Sequence, residues 1–90
     1  MENDELVLGQ VVKSRAGRDK DRYFVVIGCQ EDFVILADGD LRKLDRPKKK
    51  KIKHVVKCSI VLDEVRDKLN NGKRVTNAEL RRHLKSLGYL

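Results

Sequence analysis

The side chains best equipped for chemistry in this 90-residue chain are its bases, and they fall in two blocks. The first holds Lys13, Arg15, Arg18, Lys20 and Arg22, interrupted by Asp19 and Asp21. The second holds Arg42, Lys43, Arg46, Lys48, Lys49, Lys50, Lys51, Lys53 and Lys57, with Asp45 as its one acid. Guanidinium groups fork onto phosphate oxygens through paired hydrogen bonds, and lysines add point charge. Gly17 lies inside the first block. Without a Cβ it reaches positive φ and lets backbone N–H groups approach a phosphate closely. The two aspartates orient these bases or limit indiscriminate binding. The lysine run repels itself, so it calls for a polyanion nearby or a solvated, loosely ordered home. Two readings stand at this point: a cradle for phosphates, or surface turns whose charges pair with one another for little energy.

Other chemistries lack their residues. No Gly-rich loop has P-loop or Rossmann spacing. Ser14, Ser59 and Ser86, with two histidines, offer no nucleophile context. The carboxylates sit among bases, not in apolar surroundings that would raise a pKa. Catalytic residues are therefore not expected, and the chain reads as a binder, not an enzyme. His54 and Cys58 stand four apart, as half a zinc site would, with Cys29 and His83 as distant partners. No C-x-x-C pair completes such a site, so ordinary packing is the better account and neither metal nor cofactor is expected. The opening Met1-Glu2-Asn3-Asp4-Glu5 is acidic where a secretion signal is basic and then apolar. No apolar run approaches the length of a membrane span. Reduced thiols and a cytoplasmic location are the corresponding expectations. Charged residues make up 39% of the chain, apolar ones 40%, and the net charge is +7. That composition fits one small domain with a modest core.

Short elements must position these bases. Gly9 to Arg15, Tyr23 to Cys29 and Phe33 to Ala37 are rich in Val, Ile and aromatic residues and read as strands. Asp38-Gly39 is a strong hairpin signal, with Leu41 to Leu44 as the returning strand and Ile52 to Val56 as a fifth. Five short strands with tight connections predict a small antiparallel barrel. Pro47 at the head of the lysine run disfavours a continuing strand, so Lys48 to Lys51 reads as a loop. Beyond residue 58 the period changes. Val61, Val65 and Leu69 recur at helical spacing until Asn70-Asn71-Gly72 stops them. Thr76 and Glu79 form a T-x-x-E capping box, and Leu80, Leu84 and Leu87 make one stripe ending at Gly88. The expected fold is α+β: an acidic tail over 1–5, a barrel over 6–58 and a two-helix extension over 59–90.

The order Gly9-x-Val11-Val12, then Ala16-Gly17-Arg18-Asp19, then Arg22-Tyr23-Phe24-Val25-Val26 resembles the KOW motif of RNA-binding proteins. That motif occurs in several large-subunit ribosomal proteins and in transcription elongation factors. With Phe33 to Gly39, Arg42-Lys43-Leu44 and Lys51-Ile52-Lys53-His54-Val55, residues 6–56 are similar to ribosomal proteins of the "fourteen-e" type and to a group of small bacterial KOW-domain proteins. The resemblance implies an SH3-like β-barrel whose loop between the first strands touches RNA. Many members carry a second glycine near the end of that loop, where this chain has Asp21.

Charge and resemblance together give the expected RNA-binding set: Lys13, Arg15, Gly17, Arg18, Lys20, Arg22, Arg42, Lys43, Lys48, Lys49, Lys50, Lys51 and Lys53. Tyr23, Phe24, Phe33 and Tyr89 offer no evident stacking platform, so recognition of structured RNA by shape and backbone is expected. The expected role is ribosome-associated or ribosomal, in translation, with ribosomal RNA as partner and ribosomal or transcription proteins beside it. Two other classes stay open. Arg81, Arg82 and Lys85 on the last helix could serve a DNA-binding or transcription factor, and a barrel of this type could act as a protein-interaction adaptor.

Overall fold

The computed structural model describes residues 5–90, so the acidic tail expected over 1–5 lies, except for Glu5, outside the described residues. Five strands form one antiparallel sheet: β1 (Gln10–Ser14), β2 (Tyr23–Gln30), β3 (Phe33–Ala37), β4 (Lys48–Lys51) and β5 (Val55–Val61). Their order is β4-β3-β2-β1-β5, so the lysine strand and β5 are the two edges. Two helices follow, α1 (Asp63–Asn70) and α2 (Asn77–Ser86). The architecture is α+β.

Alternation along the strands divides the core in two. Val11, Val25 and Ala37 face the helices and pack with Leu62, Val65, Leu80 and Leu84. Val12, Phe24, Val26, Val34, Leu36 and Val55 share the opposite face, with Leu6, Leu8 and Ile52 against them. The pairs Val11 with Val25 and Val12 with Phe24 set this register. Along β1 and β5 the register shifts between Gln10 and Val12. The buried Gln10 amide fills the gap by donating to the carbonyls of Cys58 and Ile60, since an unpaired buried carbonyl would be costly.

Three expectations are corrected. Leu41 to Leu44 is not a strand. Side chains take two of its backbone donors: Arg42 N donates to Asp38 Oδ1, which also accepts from Asp40 N, and Leu44 N donates to Asn77 Oδ1 at the start of α2. These bonds draw the segment toward Asp38 and α2 and away from β3. That place goes to Lys48–Lys51, read in the sequence as a loop, which pairs with β3 from Leu36–Lys48 to Phe33–Lys51. Lysine is a weak strand former, but on an edge its charge blocks pairing with a further strand, and Pro47 sits just outside, where its missing N–H is harmless. Residues Ile52–His54 form a short 3-10 turn, so the fifth strand begins at Val55 and runs on to Val61.

Val61, read in the sequence as the start of a helical stripe, is instead the last residue of β5, and α1 begins two residues later at Asp63, whereas the capping box of α2 stands where the sequence puts it. Thr76 Oγ1 accepts from Glu79 N and Glu79 Oε1 accepts from Thr76 N, both at 3.1 Å. Lys68 on α1 bonds Glu79 on α2, which holds that carboxyl below its ordinary pKa, and Glu64 lies 3.2 Å from His83. These pairs tie the helices together while their leucines bury against the sheet. Among the described residues no helix is long and apolar enough to cross a membrane.

Candidate nucleic-acid interface

The two basic blocks meet at a carboxylate. Between β1 and β2 the chain turns tightly, with Asp21 N donating to Ser14 O and Lys20 N to Gly17 O. Gly17 at φ 84° and Asp21 at φ 71° take up the turn. Asp21 therefore adopts the left-handed conformation for which a glycine is best suited, and which Asp tolerates better than most residues. This geometry aims Asp19 inward. Its Oδ1 accepts from Ser14 Oγ at 2.8 Å and Lys50 Nζ at 3.1 Å, and its Oδ2 lies 3.4 Å from Lys48 Nζ. Burial pushes the carboxyl up, but the hydrogen bonds from Ser14 and Lys50 and the two lysine charges outweigh it. The net effect holds Asp19 below its ordinary pKa.

Strand parity sorts the lysine run. Lys48 and Lys50 oppose Leu36 and Val34, on the face of the second core cluster. Lys50 is only 8% exposed, and its ammonium group also donates to Ala16 O at 2.8 Å. It therefore fastens the loop from beneath, not facing out as the sequence reading had it. Lys49 and Lys51 oppose Ile35 and Phe33 and are exposed, with Lys49 Nζ 4.7 Å from the Phe33 ring centre.

The outcome is a cleft of about 220 Å³ lined by Arg18, Asp19, Arg22, Phe24, Leu41, Arg42 and Lys48. Its cations come from both blocks. Asp38 is fully buried and holds Arg22 in place, Nη2 to Oδ2 at 3.1 Å, while its other oxygen folds the segment carrying Leu41 and Arg42. One carboxylate thus positions both walls. No described carboxylate lies within ion-pairing distance of Arg18 or Arg42, so their guanidinium groups remain available. Lys20 and Lys43 are exposed nearby in sequence on the same two segments. The wall bearing Leu41 and Arg42 is docked on α2, where Arg81 Nη1 donates to Gly39 O at 2.6 Å.

Other expected bases are placed elsewhere. Arg15 and Lys53, with Lys57, border a larger cleft of about 420 Å³ floored by Leu6, Ile52, Val55 and Val56. Lys13 reaches neither cleft; it lies 3.7 Å from Asp21 and over the Tyr23 ring. Sequence reasoning missed Asp38 as the organiser of both walls. It also missed Leu41, which it had placed in a strand.

The chain matches no family model. It is 33% identical over 72 residues to a Bacillus subtilis (strain 168) protein named "Putative ribosome-binding protein YbzG", an alignment covering 79% of this chain and 97% of that one. The chain belongs to the YbzG family. Within this YbzG-family chain, the four-cation cleft is the place where both basic segments are brought together by two carboxylates, Asp19 and the buried Asp38.

Proposed function

We propose that this protein binds ribosomes in the cytoplasm by gripping the phosphate backbone of structured ribosomal RNA, with no catalytic step of its own. One observation carries the reading: Arg18, Arg22, Arg42 and Lys48, drawn from two separate stretches of sequence, line a single cleft. Their fixed spacing suits consecutive phosphates better than scattered surface bases would. Lys20 and Lys43, on the same two segments, add to its positive charge, and Lys49, Lys51, Arg15 and Lys53 add to the field of the whole molecule that steers the approach. The relative's name, which mentions ribosome binding, supports the choice of partner.

The finer fold assignment, an SH3-like barrel of KOW type, belongs to the same proposal. It is supported by the 3-10 turn Ile52–His54, which leaves the two edge strands only three residues apart in the chain. A sheet whose edges are so joined has to curl. The second core cluster points the same way, since strands β1, β2, β3 and β5 all contribute to it and, among the described residues, Leu6, Leu8 and Ile52 are the partly buried apolar side chains against it.

Co-sedimentation with ribosomes at rising salt tests the function. Each phosphate contact contributes about 0.7–0.9 to the slope of log affinity against log salt, so Arg18→Gln with Arg42→Gln is expected to flatten the slope by about 1.4–1.8. Both side chains are exposed, so the fold is unaffected. Binding that survives high salt, or a slope that the double variant leaves alone, refutes the proposal.

A further inference from the structure

The proposed cleft carries one side chain that phosphate binding does not explain. Leu41 is 67% exposed, the most exposed large apolar residue among those described. A lone surface leucine ordinarily needs no account. This one stands at the rim of a cleft bordered by Arg18, Arg22, Arg42 and Lys48, with Asp19 and the buried Phe24 also lining it. Nor is its segment loose. Asp38 Oδ1 accepts hydrogen bonds from the backbone on both sides of it, at Asp40 and Arg42, and Gly39 packs directly on Asn77. The fold holds an apolar group out in water at a fixed point beside four cations.

The aromatic residues cannot take that part. Phe24 lines the cleft but is buried, Phe33 lies under Lys49, and Tyr23 is stacked on Tyr89 with ring centres 3.7 Å apart. A continuous A-form helix presents phosphates and 2′-hydroxyl groups while its base faces are hidden in the stack. An unpaired nucleotide exposes such a face, and leucine is among the apolar side chains that proteins wedge between bases in duplex DNA. We infer that Leu41 is such a wedge: it packs on an unpaired base next to the phosphates held by the four cations, so the protein favours RNA with an unpaired nucleotide over uninterrupted duplex. The inference rests on the phosphate-binding reading and adds the kind of RNA that the site selects.

The test compares an RNA stem carrying one bulged nucleotide with the same stem fully paired, using the whole chain and its Leu41→Ala and Leu41→Phe variants. The wild type is expected to prefer the bulged stem. Leu41→Ala lowers that preference about four- to fifteenfold, the worth of one to two methylene groups withdrawn from water. It leaves affinity for the paired stem and the salt slope unchanged, and Leu41→Phe keeps or raises the preference. Equal wild-type binding to both stems, or a preference that survives Leu41→Ala, overturns the wedge while leaving phosphate binding standing. Failure to bind either stem overturns both. Weaker ribosome co-sedimentation for Leu41→Ala with no change on either stem makes Leu41 a protein contact and also overturns the wedge.

Discussion

Asp19→Ala removes the one acceptor shared by Ser14, Lys48 and Lys50. The ammonium group of Lys50 then keeps only the Ala16 carbonyl, in a place where its side chain is 8% exposed. Removing one partner of a buried ion pair costs about 3–5 kcal/mol, because the other charge stays desolvated. Asp19 retains 12% exposure and Lys48 27%, so water relieves part of this. Ser14 loses little, since its hydroxyl also reaches Ala16 O. The expected loss is about 2–4 kcal/mol, out of a total of about 5–13 kcal/mol for a chain of this length. At about 4–8 °C per kcal/mol, the melting temperature falls by about 8–32 °C. The pH dependence follows from the depressed carboxyl. Its contribution is complete above the unfolded value of about 3.9 and is lost as pH falls through the folded value. Wild type and variant therefore converge on acidification below about pH 4. Urea unfolding followed by circular dichroism, at neutral and acidic pH, measures both effects. Adding Lys50→Met to Asp19→Ala removes the stranded charge and is expected to restore half of the loss or more. A single-variant cost below about 0.5 kcal/mol, the scale of ordinary surface changes, or no recovery in the double variant, refutes this account of the loop.

Three other perturbations read other parts of the structure. Gly39→Ala places a Cβ 2.3 Å from the Asn77 carbonyl oxygen at φ +77°, and costs about 3 kcal/mol or more in thermal unfolding. Asp21→Gly relieves left-handed backbone strain at φ 71° and loses only an exposed pair with Lys13. Its unfolding free energy is therefore expected to stay level or rise by up to about 1 kcal/mol, while Asp21→Val loses about 1–2 kcal/mol. Lys49→Gln with Lys51→Gln is expected to weaken ribosome co-sedimentation at unchanged stability, whereas Lys50→Gln lowers stability first. Equal behaviour of Lys49 and Lys50 would contradict the alternation along β4.

Legibility followed the range of the interactions concerned. The strand Phe33–Ala37 and the capping box at Thr76 and Glu79 rest on local chemistry and stand where the sequence places them. The segment after Asp38-Gly39 was misread because the type I′ hairpin signal assumes a partner strand. Here the Asp38 side chain and Asn77, 33 residues beyond Leu44, take the backbone donors instead. The lysine strand was hidden for a related reason. Its strand state is set by register with β3, and no residue within it favours that state. In the candidate site the bases were visible as charge, but the sequence held no sign that Asp19 would meet Lys50 across 31 positions. Nor did it show that Asp38 would aim Arg22.

The docking of Gly39 and Leu44 on the start of α2 has a temporal side. On a chain being synthesised, residues 38–46 emerge well before Asn77 and Arg81, the side chains on which that segment leans. Until those arrive, one wall of the cleft lacks half of its fastening, and its cations are not yet held at a common spacing. The cleft therefore reaches its final shape only with the last quarter of the polypeptide. On the phosphate-binding reading proposed above, a partly made copy still attached to its own translating particle would be kept from closing prematurely on the nucleic acid around it.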